Sequence, residues 1–140
     1  MLIKILLMIF FSLLSGFSSA IMDKICFHWN KSIFNIEKPT TRLHHFILYF
    51  FADHYNVGWK NKYNEDGSRK KISFFKIGIN IPVQFCDAWH FFKSIKIISL
   101  IMCGFFIVNT NVLAVLLSLL IIGIVYNCTF NISFKYIFSK

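Results

Sequence analysis

IISLIMCGFFIV-NTN-VLAVLLSLLIIGIVY, residues 97–126, carries no charged side chain. It belongs to an apolar region that begins at Phe85 and continues beyond Tyr126. About 20 residues of helix cross a hydrocarbon core about 30 Å thick, so the region is too long for one span. Asn109-Thr110-Asn111 sits in its middle. Asn forms turns and is costly in lipid, where each polar group must find an internal partner. The reading is a helical hairpin: one helix over about 87–108, a turn at 109–111, and a second helix over about 112–132. Lys93 and Lys96, near the start of the first of these helices, would snorkel to the headgroups. The competing reading is one long tilted helix with a polar middle.

A further apolar stretch runs from Leu2 to Met22, interrupted by Lys4 and a few Ser and Gly. It reads as a first transmembrane helix ending at Asp23-Lys24. It also reads as a cleaved signal peptide, with Lys4 as the basic start, 5–14 as the apolar stretch and Ser18-Ser19-Ala20 as a small-residue cleavage site. Retention is favoured because cleavage would require export of the basic stretch that follows.

Composition agrees with the membrane reading. Of the 140 residues 56% are hydrophobic and only 15% are charged, well below the quarter of charged residues usual in soluble domains. The formal net charge is +9. On a membrane protein such an excess reads first as attraction to anionic headgroups and as the positive-inside bias. Lys and Arg crowd the stretch from Lys24 to Lys96, and Lys135 and Lys140 follow the last helix. Nothing basic lies at 109–111. This pattern puts the middle of the chain and its C-terminus in the cytoplasm and its N-terminus outside, although the middle stretch is near the length at which the rule weakens.

The expected architecture is therefore an all-α membrane protein with about three transmembrane helices. Its parts are the first helix or signal peptide at 1–22, a basic, aromatic-rich, partly irregular insert at 23–86, the hairpin at 87–134 and a basic tail at 135–140. Within the insert, 43–55 is too short and too His-rich to span and fits an interfacial helix with aromatic rings at headgroup level. Residues 72–83 alternate in part, as a short strand does. Asn64-Glu65-Asp66-Gly67-Ser68 is the clearest loop. It leads into Arg69-Lys70-Lys71, a lipid-headgroup patch supported by Lys60, Lys62 and Lys76.

Other candidate chemistry is sparse. The cysteines at 26, 86, 103 and 128 form no C-x-x-C pair. Cys103 and Cys128 read as buried thiols. Cys26 and Cys86 flank the insert and would pair only in an oxidising compartment. There is no phosphate loop, nucleophile elbow or zincin motif, and a nucleic-acid partner is not expected because no recognition motif accompanies the basic patch. Asp87 and His90 are three apart and share a helix face. With Asp23 and His28 at the end of the first helix they would form an interfacial polar cluster. His28, Asp87 and His90 would suit a divalent metal such as zinc or iron. The plainer reading is that these residues cap helix ends, pair with lysines and sit among headgroups. His44, His45 and His54 likewise read as interfacial side chains, and Trp29, Trp59 and Trp89 as an aromatic belt.

Three strings occur together: FHWNKSIF at 27–34, GWKNKY at 58–63 and DAWHFFK at 87–93. In this combination the chain resembles small uncharacterised membrane proteins of Bacteroidetes-type bacteria and their phages, over roughly residues 20–100. The resemblance implies no activity. It implies that His28, Asn61, Lys62, Asp87, Trp89 and His90 act together, and it places the protein in a bacterial inner membrane or a phage host's membrane. The first functional expectation is a membrane-anchored scaffold or interaction protein, binding lipid, a partner protein or further copies of itself, without a resident cofactor. The alternatives are an interfacial metal-dependent hydrolase built on His28, Asp87 and His90, and a holin-like pore former.

Overall fold

The computed structural model describes residues 2–51, 71–74, 77–80, 88–107 and 111–140. Among them, three helices are long and apolar enough to cross a membrane. These are α1 (Leu2–Phe27), α3 (Ala88–Ile107) and α4 (Val112–Ile132), the last extended to Ile137 by one π-helical turn. A short amphipathic helix, α2 (Arg42–Phe50), and a two-stranded antiparallel hairpin, β1 (Lys71–Phe74) with β2 (Ile77–Asn80), lie in the insert. Apart from this hairpin the described elements are helical, and they make an all-α membrane protein with about three spanning helices.

Contacts divide the chain into two units, Met1–Ile21 with Phe92–Ser139, and Met22–Phe91 with Lys140. The first is the membrane bundle. Its α3 and α4 are separate helices, because Asn111 is extended (φ −71°, ψ 162°) and its side chain accepts a hydrogen bond from the Ala114 amide at 2.8 Å. That N-cap satisfies one of the amides a helix start leaves open, and it rules out one continuous helix. The chemistry that marked Asn111 as a turn residue thus starts α4.

The bundle is organised around α1. Of its most apolar window 44% is buried, against 11% for α3 and none for α4. Its buried face is small: Ser12, Ser15, Gly16, Ser19 and Ala20 recur at helical spacing. Lipid tails supply no hydrophobic drive between helices, so membrane helices associate by close backbone packing and interhelical hydrogen bonds. Both occur here. Ser12 Oγ donates to the Ile122 carbonyl at 2.7 Å, and Tyr126 Oη donates to Ser19 Oγ at 2.9 Å. Between them, a Cβ on Gly16 would lie 2.6 Å from the Tyr126 carbonyl oxygen. Phe17 meets Phe138 edge-on at 5.0 Å. Residue numbers rise together along the two helices, so α1 and α4 run parallel. Toward α3, Phe11 stacks on Phe106 at 6.1 Å and the Cys103 thiol makes a weak contact with the Met8 carbonyl at 3.6 Å.

In the second unit α1 continues through Asp23 and Lys24 to Phe27, past the stop those charges suggested. A cation in a last helical turn interacts favourably with the helix dipole, and Ile25 is buried. A 3-10 turn, Trp29–Lys31, follows. The Ser32 amide donates to the Trp29 carbonyl at 2.9 Å, while the buried Ser32 Oγ accepts from the Phe34 amide at 3.1 Å. Lys140 joins this unit through its amide, which donates to the Lys31 carbonyl at 3.0 Å, and through an ion pair with Glu37 at 3.7 Å. Where the sequence suggested one strand, β1 and β2 pair from Lys71↔Asn80 to Phe74↔Ile77.

Candidate membrane interface

α2 begins at Thr41, whose hydroxyl accepts from the His44 amide at 3.1 Å. His44 Nδ1 lies 3.2 Å from the Thr40 amide and accepts from it. The first uses one of the amides that a nine-residue helix leaves unpaired at its start, and the second ties the residue before the cap to the first turn. Leu43, Phe46, Ile47 and Phe50 follow at i, i+3, i+4 and i+7, which gathers them on one face. Phe46 stacks on Phe50 at 5.8 Å, Phe50 meets Phe91 edge-on at 6.0 Å, and Phe51 stacks on the buried Phe34 at 4.1 Å. The inner end of the apolar face is thus held by aromatic contacts. Leu43 and Phe46 at its outer end are exposed, as are Arg42 and His45. An apolar face with an exposed leucine and an exposed ring, flanked by cationic and imidazole side chains, is the chemistry of a helix lying in a headgroup layer.

The polar residues singled out from the sequence fare unevenly. Asp23 and His28 come together, with Nε2 and Oδ2 3.8 Å apart. Both are partly exposed, so the pair is worth about 0–1 kcal/mol. A cleft of about 280 Å³ opens beside them, lined by Cys26 to Lys31. His90 is half-buried in the first turn of α3 and packs edge-on against the Trp89 ring at 4.7 Å. Asp87, Asn61, Lys62, Arg69 and Lys70 lie outside the described residues, as do His54, Trp59, Lys60, Lys76, the 64–68 loop and Cys86. Lys71 is the first residue of β1. Among the described residues, no three His, Cys, Asp or Glu side chains come together to hold a metal. Cys103 is buried, whereas Cys128, expected to be buried, is exposed on α4; its neighbour Asn127 is exposed on the same side.

Two features escaped the reading of the sequence. The small face of α1 was visible as Ser12-x3-Gly16-x3-Ala20, but the Ser18 to Ala20 end of that pattern also resembles a cleavage site. The Thr41 cap was visible as a Thr directly before an apolar-periodic run. Compared with known protein families, curated proteins and solved structures, the chain matches none.

Proposed function

We propose that the chain is a membrane-anchored interaction protein whose insert lies on the anionic headgroup layer at the cytoplasmic side. The observation that carries this reading is α2: a capped amphipathic helix with Leu43 and Phe46 exposed, in a chain whose three apolar helices dissolve in lipid. Burying those two side chains among acyl chains would contribute the affinity, and the insert's cations would add about 1 kcal/mol each near an anionic surface. The parallel course of α1 and α4 supports the orientation. An odd number of crossings puts the end of α1, the insert and the C-terminus on one side, the side that the Lys and Arg favour. The burial of α1 supports its retention, since removing residues 1–20 would strip α4 of the partners of Ile122 and Tyr126.

The test uses the full chain in lipid nanodiscs, with Cys26, Cys86, Cys103 and Cys128 replaced by Ser and a spin label at Leu43→Cys. In anionic nanodiscs at low salt the label is expected about 5–10 Å below the phosphates. It should withdraw toward water in zwitterionic lipid, and partly withdraw at high salt. A label that stays in water on anionic nanodiscs at low salt would remove the proposal.

A further inference from the structure

α4 carries a second pattern on the side away from α1. Leu113, Leu117, Leu120, Ile124, Asn127 and Asn131 follow one another at alternating steps of four and three. This is an unbroken a/d heptad seam, with Leu117, Ile124 and Asn131 at one position and Leu113, Leu120 and Asn127 at the other. All six are exposed, the four apolar ones at 51 to 67%. Leu116 and Leu119, off the seam, are as apolar and as exposed, so the two asparagines and not apolarity mark this stripe. A 3.5-residue spacing keeps such a stripe facing a partner helix along its whole length.

Asn127 sits where lipid alone would be a poor solvent, and Asn131, one turn further on, lies near the edge of the core. Asn127 is 15 residues beyond Val112, or about 22 Å along the helix axis, inside a core about 30 Å thick. Each amide donates one hydrogen bond to its own helix, Asn127 to the Gly123 carbonyl at 2.8 Å and Asn131 to the Asn127 carbonyl at 2.9 Å. Neither side-chain oxygen accepts a hydrogen bond among the described residues. Each amide therefore keeps a positive N–H and a negative oxygen facing outward. That charge pattern is its own complement: across a two-fold axis, the N–H of one copy meets the oxygen of the other. A shallow apolar groove at Leu119, Leu120, Gly123, Ile124, Asn127 and Cys128 runs beside the seam.

We infer that α4 is a homodimer interface, in which the seam of one copy packs in parallel against the seam of a second copy, with Asn127 and Asn131 paired across the axis. Two copies inserted with the same orientation present parallel α4 helices, so the symmetry is the one the bilayer imposes. Asn at an a/d position sets register, and Ile and Leu at the remaining positions are compatible with two strands.

Cysteine cross-linking of the full chain in bilayers tests this, with the four native cysteines replaced by Ser. Leu120→Cys lies on the seam. Leu119→Cys, comparably exposed at 53%, lies off it. Mild oxidation should give disulfide-linked dimers at position 120 and at least tenfold less at 119. In parallel, energy transfer between labelled copies that keep the native cysteines should show Asn127→Leu weakening association about tenfold, at the upper end of interhelical hydrogen-bond strengths. Equal cross-linking at the two positions, no cross-linking at 120, or association unchanged by Asn127→Leu would overturn the proposal. Its failure would leave the headgroup role of α2 standing.

Discussion

Replacing Gly16 with Ala should loosen the bundle. The added Cβ would lie 2.6 Å from the Tyr126 carbonyl oxygen, 3.0 Å from Thr129 Cβ and 3.3 Å from the Phe130 amide nitrogen. Two of these neighbours are backbone, so no side chain can swing aside, and α1 and α4 must part by several tenths of an ångström. Overpacking of this kind costs about 1–3 kcal/mol. Separation also lengthens the Ser12–Ile122 and Ser19–Tyr126 hydrogen bonds on either side, each worth about 0.6 kcal/mol in a membrane bundle. Ala recovers up to about 1 kcal/mol of helix propensity. The balance is a loss of about 2 kcal/mol, a factor of roughly 30 in the unfolding equilibrium. The assay is unfolding in mixed micelles, followed through the reactivity of the buried Cys103 thiol, with the other three cysteines replaced by Ser. Gly104→Ala is the control, because nothing lies within 4 Å of a Cβ there. If the Gly16→Ala and Gly104→Ala variants open equally readily, the close approach of α1 and α4 is refuted.

The same bundle yields three more expectations. Tyr126→Phe keeps the ring and loses only the hydrogen bond to Ser19, so the same assay should show a loss of about 0.6 kcal/mol and no more than about 1.7. Asn111→Ala removes the N-cap of α4 and should cost about 0.5–2 kcal/mol, seen as faster amide exchange confined to the first turn of α4; an unchanged Ala114 amide would contradict the cap. Intact mass of the protein extracted from membranes should include residues 1–20, and a mass corresponding to a chain starting at Ile21 would show that α1 is removed.

The spanning helices were legible because a helix meets the demand of lipid with a long apolar run whose backbone pairs with itself. Asn111 was legible because Asn109-Thr110-Asn111 gathers three polar residues at the middle of a run too long for one span, where one helix has to end and the next be capped. The end of α1 was harder. Asp23 and Lys24 look like a stop, yet a cation in the last turn of a helix is favourable and Ile25 still packs, so the helix ends only at Phe27. The β1–β2 hairpin was read as one strand because Phe75-Lys76, between the two strands, carries none of the Gly, Asn or Pro chemistry that marks a tight turn. Of the polar cluster, only the nearness of Asp23 to His28 follows from position, both lying at the end of one helix. The small face of α1 and the heptad seam of α4 were present as spacings, but overall hydropathy hides them. Periodicity within a uniformly apolar helix is read from residue size and from the rare amide.

The three-span arrangement can be tested directly by labelling single cysteines with a membrane-impermeant maleimide from each side of sealed vesicles. The positions are Lys62→Cys, Thr110→Cys and Lys140→Cys, each in the chain lacking native cysteines. Positions 62 and 140 should react from the same side and position 110 only from the other. Reaction of all three from one side, or recovery of the protein in the aqueous fraction without detergent, would contradict the account.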